Sequence, residues 1–144
     1  MPKQAPAPAR RMSKAEFEKL AHFRYQLRRF LRFSEELTRR NGMTALQYQL
    51  LLQIKGFPGR DWATVGELAE RLQAQHHGVV SLVSRCEAGG WVKRNVGSSD
   101  KRRVEVSLTG KGEKYLQRLA QLHRAELRSM RDASAPDLTA LNPG

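Results

Sequence analysis

A basic hairpin motif at residues 91–109 is the feature that most restricts how this chain can fold. Residues 91–96 and 104–108 carry valines and a tryptophan, the composition of short β-strands. Between them, a turn of Gly, Ser, Ser and Asp leads into three consecutive cations, Lys101, Arg102 and Arg103. The pattern predicts a β-hairpin with a positively charged tip.

Two short amphipathic helices are predicted just before this hairpin. Thr64 and Glu67 have the spacing of a capping box, and apolar residues recur at helical spacing over the next two turns. After a turn at residues 73–75, a second helix is expected from about 76 to 88, and Gly89 should end it as a left-handed C-cap. Its inner face carries Val79, Leu82, Val83 and Cys86. Helix, turn, helix and basic hairpin in this order predict a winged helix-turn-helix.

Longer helices are predicted on both sides of this head. The first covers residues 13–41, with Ser13 and Glu16 as a capping box. A shorter helix follows and starts in the same way at residues 44–47, and the last helix starts at Thr109. The fold is therefore expected to be mainly α with a small β-wing.

The charge of the chain favours polyanionic partners. With 26 lysines and arginines against 14 acidic residues, the formal net charge is +12. No apolar run reaches membrane-spanning length, so no membrane partner is expected, and the lone Cys86 fits a protein of the reducing cytoplasm. No phosphate-binding glycine loop, metal-ligand cluster or nucleophile elbow is recognisable. We therefore expect no enzyme, no cofactor and no bound metal.

The stretch 64–109 resembles the DNA-binding core of the MarR family of bacterial transcription regulators. The segments that carry the resemblance are 66–72, 82–94 and 100–103, with Leu108 and Thr109 completing the Asp-x-Arg and Leu-Thr signature of the family's wing. It implies a winged helix-turn-helix with long N- and C-terminal dimerisation helices, and a short extra strand at residues 62–63. It also implies a sequence-specific, double-stranded DNA-binding regulator, most often a ligand-responsive repressor.

The apolar surface of the first and last helices predicts a homodimer, because one small head cannot cover it. The expected dimer contacts lie at residues 17–37 and 115–130, and a dimer would match a palindromic operator. This divides the chain into four parts. They are a disordered basic tail (1–12), an N-terminal dimerisation helix (13–43), a winged helix-turn-helix DNA-binding domain (44–108), and a C-terminal dimerisation helix and tail (109–144).

The resemblance also assigns the DNA contacts. Arg102 is the minor-groove residue, whereas Lys101 and Arg103 meet phosphates, and Asp100 is placed to orient the Arg102 guanidinium through a charge-assisted bond. The outward face of the second helix of the motif should contact bases and backbone in the major groove. Its residues are Gln75, His76, His77, Ser81 and Arg85.

A small-molecule site is implied where the first, second and last helices meet the reading head. The candidate lining residues are His22, Phe23, Gln26, Tyr48, Leu52 and Leu116. A nearby cation, Arg24 or Arg28, would favour a carboxylate. The expected effector is a small aromatic acid or phenolic compound. The alternative is that these residues only pack the core.

Two other functions remain open at this point. One is a nonspecific architectural protein that coats DNA through charge alone, which operator competition would distinguish from a regulator. The other is a thiol-based redox regulator working through Cys86. A buried structural thiol is the default for such a residue, because a redox sensor needs an exposed thiol of low pKa.

Overall fold

The computed structural model describes residues 10–97, 100 and 102–134, with side chains up to residue 132. These residues form five helices and three strands. In chain order they are α1 (Lys14–Arg40), α2 (Ala45–Lys55), β1 (Trp62–Thr64), α3 (Val65–Leu72), α4 (His76–Ala88), β2 (Val92–Val96), β3 (Val104–Leu108) and α5 (Gly110–Ser134). The prediction of a mainly α fold with a small β-wing is confirmed. None of the helices in this part of the chain combines the length and apolar character needed to cross a bilayer.

The starts of α1, α2 and α3 are specified locally by capping boxes, as the sequence predicts. Thr44 shows the geometry: its hydroxyl accepts from the Gln47 backbone N–H at 3.0 Å, and the Gln47 side chain accepts from the Thr44 N–H at 2.8 Å. The same reciprocal pair begins α1 at Ser13 and α3 at Thr64. Each box satisfies backbone donors that have no partner within the helix, so these boundaries follow from a few residues.

The three strands form one antiparallel sheet in the order β1-β3-β2. The predicted hairpin is present, with Val92 opposite Leu108 and Val96 opposite Val104. The short strand expected at residues 62–63 is also present, extends to Thr64, and pairs Trp62 with Ser107. The hairpin therefore projects from a sheet that β1 and β3 anchor to the rest of the head.

The left-handed residue after α4 differs from the sequence-based prediction by one position. Gly89 has a right-handed φ of −74° and is not the left-handed cap, whereas Gly90 has φ +82°. The Gly90 N–H donates to the Glu87 carbonyl at 2.9 Å, and the Trp91 N–H donates to the Cys86 carbonyl at 3.0 Å. This pair of bonds is a Schellman motif whose left-handed residue is Gly90. The helix ends at Ala88 as predicted, and the second glycine rather than the first supplies the left-handed turn.

The hydrophobic core joins the helices of the head to the sheet and to α5. Fully buried side chains come from every layer: Leu50, Leu51, Ile54, Leu68, Val79, Val83, Val106 and Leu119. The inner face predicted for α4 is buried as a whole. Burial of that face fixes which side of α4 is left for solvent.

Candidate nucleic-acid interface

The outward face of α4 presents its predicted reading residues to solvent. Gln75 is the N-cap of α4 and its side chain makes no cap hydrogen bond. Gln75, His76, His77, Ser81 and Arg85 are all exposed. Since Val79, Leu82, Val83 and Cys86 are buried on the other side, the helical period keeps these polar side chains outward. Donors and acceptors on this face are of the kinds that read base edges in a major groove.

The turn between α3 and α4 is set by one unusual backbone conformation. Gln73 has a φ of +51°, in the left-handed region, and its side-chain amide donates to the Glu70 carbonyl at 2.8 Å. The Ala74 N–H donates to the Ala69 carbonyl at 3.0 Å. The C-terminus of α3 is thereby closed without glycine, and α4 starts at a fixed angle to it.

At the tip of the wing, Arg102 is almost fully solvent-exposed, with 95 % of its side chain accessible. Asp100 contacts it mainly through the backbone: Asp100 Oδ1 accepts from the Arg102 N–H at 3.0 Å and lies 3.7 Å from Arg102 Nε. The expected charge-assisted bond to the guanidinium is therefore the longer of the two contacts. Asp100 shapes the turn more than it orients the side chain. Lys101 lies outside the described residues.

Arg103 differs from Arg102 because its side chain is engaged within the protein. Its guanidinium donates to Glu105 Oε1 at 3.0 Å and lies 4.9 Å from the centre of the Trp62 ring. Trp62 also contacts Arg60, which lies 4.0 Å from its ring and 4.1 Å from that of Phe57. Arg103 thus ends a stack of cations and aromatic rings that stiffens the base of the wing. A contact between Arg103 and phosphate would compete with these partners.

Arg60 also forms an ion pair with Glu67, the capping residue of α3. Although partial burial raises the pKa of Glu67, hydrogen bonds from Thr64 and Arg60 lower it below its usual value overall. This stack was not predicted from the sequence. The signal for it is the closeness in sequence of Phe57, Arg60 and Trp62, which places a cation between two aromatic residues where the loop enters β1.

The Cys86 thiol is fully buried on the inner face of α4. Burial raises its pKa to about 12. A thiol that is both inaccessible and protonated is a poor redox sensor, because the thiolate is the reactive form. This favours the structural role expected for Cys86 over the redox alternative.

The predicted effector residues fall into exposed and buried groups. Gln26, Tyr48 and Leu116 are buried and Phe23 is partly buried. The exposed members are His22, Arg24, Arg28 and Leu52. The structure brings His22 and Gln26 to 3.5 Å, and it places Leu116 in the main hydrophobic core. The set therefore includes residues that pack the core as well as residues open to solvent.

The centre of this junction is His123, which the sequence analysis did not assign to it. Its ring stacks on Tyr48 at 4.3 Å and meets the edges of the Phe30 and Phe33 rings. Its Nδ1 lies 2.7 Å from the Leu119 carbonyl and its Nε2 lies 2.8 Å from Ser34 Oγ. Because a carbonyl can only accept, Nδ1 carries a proton. His123 thus links α1, α2 and α5 where the long helices meet the head.

In the described ranges, no three His, Cys, Asp or Glu side chains come together as possible metal ligands. The arrangement consists instead of an exposed polar helix face, an exposed arginine at a hairpin tip, and a rigid sheet between them. The fold is that of a winged helix-turn-helix, in which an exposed helix face of this kind can enter a DNA groove.

Comparison with known proteins finds similarity to one family of regulators. A model described as the MarR family matches residues 41–103 of the chain. A Thauera aromatica protein, named as the proposed transcriptional regulatory protein for the hcr operon, is 29% identical over 112 residues. The match covers 78% of this chain, and the chain spans only 64% of the length of that relative.

Solved structures share the fold across nearly the whole chain. AbsC, a MarR family transcriptional regulator from Streptomyces coelicolor, superimposes with a TM-score of 0.75 at 24% identity, covering 92% of this chain and 90% of AbsC. A mutant of MepR from Staphylococcus aureus, bound to an oligodeoxyribonucleotide, gives a TM-score of 0.64 at 18% identity, covering 90% of this chain and 89% of that one. At these identities the likeness establishes the architecture.

Proposed function

We propose that this protein is a sequence-specific, double-stranded DNA-binding transcription regulator. The observation that carries the proposal is that one rigid head presents two separate reading elements, the outward face of α4 and the exposed Arg102 of the wing. A helix of this kind fits a major groove, and an extended arginine fits the negative potential of an adjacent narrow minor groove. The MepR mutant, which shares this fold, is bound to an oligodeoxyribonucleotide, and this supports DNA as the partner.

The protein acts as a homodimer on a palindromic operator. Large apolar side chains remain open on both long helices in the single chain, including Phe17 (55% exposed) and Leu20 (47%) on α1 and Leu127 (50%) on α5. A second copy would cover this surface and place two heads on one DNA site. The same exposure supports the proposed division into terminal dimerisation helices and a central DNA-binding domain.

Within this proposal the protein is a cytoplasmic repressor released by a small aromatic acid or phenolic compound. The ring cluster around His123 lies between the long helices and the head, where a ligand would change their relative positions. Thermal shift and operator release with benzoate-like and phenolic compounds test this part separately. If no compound has either effect at millimolar concentration, the effector proposal fails and the DNA-binding proposal stands.

The DNA-binding proposal is tested with Arg102→Ala and a control, Lys114→Ala, which removes one positive charge from the exposed surface of α5. Operators are first selected from fragments of the source genome, and affinity is then measured by fluorescence anisotropy. We expect Arg102→Ala to weaken operator binding by about tenfold or more, as for loss of a specific groove contact, while Lys114→Ala changes it little.

The same assay tests the alternative of an architectural protein that coats DNA through charge alone, which the net charge of +12 would permit. A regulator prefers its operator to bulk duplex by about a thousandfold or more. If wild-type protein binds operator and bulk DNA alike, and Arg102→Ala binds as the wild type does, nonspecific coating replaces regulation as the function.

A further inference from the structure

Arg94 on β2 makes an unusual set of contacts with the reading helix. Its Nη2 donates to Ser84 Oγ at 2.8 Å and to the Val80 carbonyl at 3.2 Å, and its Nη1 donates to Glu87 Oε1 at 2.9 Å. The Arg94 backbone N–H also donates to Glu87 Oε2 at 3.0 Å. One side chain on the wing therefore spans two turns of α4.

These contacts use the charge of Arg94 inside the protein. The side chain is 29% exposed, and both carboxylate oxygens of Glu87 are directed at the same residue. Charge-assisted hydrogen bonds of this kind are directional and stronger than neutral ones. An arginine committed to a helix carbonyl, a serine and a glutamate is poorly placed to act as a phosphate ligand, although its position in a basic hairpin suggests that role.

The position of the contacts gives them a geometric consequence. Ser84 lies in the same helix as the reading residues, and β2 continues directly into the wing that carries Arg102. The angle between α4 and the hairpin determines whether the helix and the wing enter neighbouring grooves together. When two weak elements are held in the correct relative position, the second binds at a high effective concentration.

We propose that Arg94 and Glu87 form a clamp that fixes the angle between the reading helix and the wing and thereby sets sequence preference. Arg94 is a positioning residue that acts through α4 and the wing. The clamp rests on the proposed function, because it requires a preferred operator. It distinguishes DNA that matches both elements from DNA that matches only one.

The test compares Arg94→Ala, Arg94→Lys and Glu87→Gln with the control Lys93→Ala, which removes the neighbouring exposed cation of β2. For each variant, the ratio of operator to bulk-DNA affinity and the slope of log affinity against log salt are measured. We expect the three clamp variants to lower the ratio by about tenfold or more with an unchanged salt slope. Lys93→Ala should keep the wild-type ratio of operator to bulk-DNA affinity. If Lys93 contacts a phosphate, its loss should reduce the salt slope by about one.

Glu87→Gln separates the clamp from direct phosphate binding. Removing this acidic charge beside DNA would raise affinity if Arg94 met phosphate, whereas it lowers operator affinity if the pair is a clamp. The double variant Arg94→Ala with Glu87→Gln should lose no more than the worse single variant, because both act in one unit. Thermal melts confirm that each variant is folded, and Glu87→Gln and Arg94→Lys keep the test valid if Arg94→Ala is unstable.

The outcomes distinguish the clamp from the function on which it rests. If wild-type protein shows no operator preference, both are overturned. If the wild type prefers its operator but the clamp variants keep the wild-type ratio, the clamp alone is overturned. A reduced salt slope in Arg94→Ala, combined with tighter binding by Glu87→Gln, would instead identify Arg94 as a phosphate ligand.

Discussion

Substitution of Gly112 tests the tightest junction in the molecule, where α5 starts beside the sheet. A Cβ atom at Gly112 would collide with the carbonyl oxygen of Trp91 and lie 3.0 Å from its carbonyl carbon. The same carbonyl accepts the Thr109 N–H at 3.0 Å, and Thr109 Oγ1 accepts the Gly112 N–H at 3.0 Å. Because backbone on both sides is held in place, neither atom can move away without breaking these bonds.

We expect Gly112→Ala to reduce the free energy of unfolding by about 2 kcal/mol. Overpacking of a tight contact costs about 1–3 kcal/mol, and the upper end applies where the obstructing atoms are backbone. The helical preference of alanine over glycine returns at most about 1 kcal/mol. For a chain of this size, about 2 kcal/mol corresponds to a fall in melting temperature of about 8 °C.

The matched control is Gly110→Ala in the same turn, where a Cβ would meet nothing within 4 Å. This variant should melt at or slightly above the wild-type temperature. Both are compared by calorimetry at one protein concentration, since the melting temperature of the proposed dimer would depend on concentration. A Gly112→Ala protein as stable as Gly110→Ala would refute the reasoning, because the contact with Trp91 would then be free to relax.

Three further perturbations test the buried Cys86 thiol, the contacts of His123 and the proposed dimer interface. Because the folded pKa of Cys86 lies near 12, above the usual 9.0, the folded state keeps the proton longer. The stability that this protonated thiol contributes is therefore complete below pH 9 and is lost as pH rises toward 12. The free energy of unfolding, measured by urea titration across this range, should lose that part of its pH dependence in Cys86→Ala. His123→Phe keeps a ring but loses the bonds to Ser34 and Leu119, which should cost about 1–3 kcal/mol in urea denaturation; unchanged stability would contradict the buried contacts. Leu122→Arg combined with Leu127→Arg should give a monomer by light scattering at micromolar concentration, and a persistent dimer would place the interface elsewhere.

What the sequence predicts well is what a few neighbouring residues decide. The capping boxes at Ser13, Thr44 and Thr64 and the strand composition of the hairpin each act within one turn or one strand pair. The end of α4 at Ala88 was predicted, but the left-handed residue was placed one position too early, because two adjacent glycines are equally able to adopt that conformation. Local patterns thus predict where an element ends before they predict which of two identical neighbours makes the turn.

Contacts between elements were not predictable in the same way. Ser34 and His123 are 89 residues apart, and their bond exists only because α1 and α5 cross at that level. The Arg94 clamp depends on the angle between α4 and β2, which no periodicity encodes. For the predicted DNA-contacting residues, the sequence predicted that one face of α4 would be open to solvent. Their exposure agrees with this, while their individual roles remain predictions.

The junction at Thr109 gives the molecule a mechanical property. One residue separates β3 from α5, so the hairpin and the long helix have no flexible joint between them. With 25 residues, α5 is about 37 Å long at about 1.5 Å per residue. A tilt of about 10° at its distal end therefore displaces the hairpin end by about 6 Å. That distance is about the width of a DNA minor groove. In the proposed homodimer, α5 would therefore act as a lever that converts a small rotation between subunits into withdrawal of the wing.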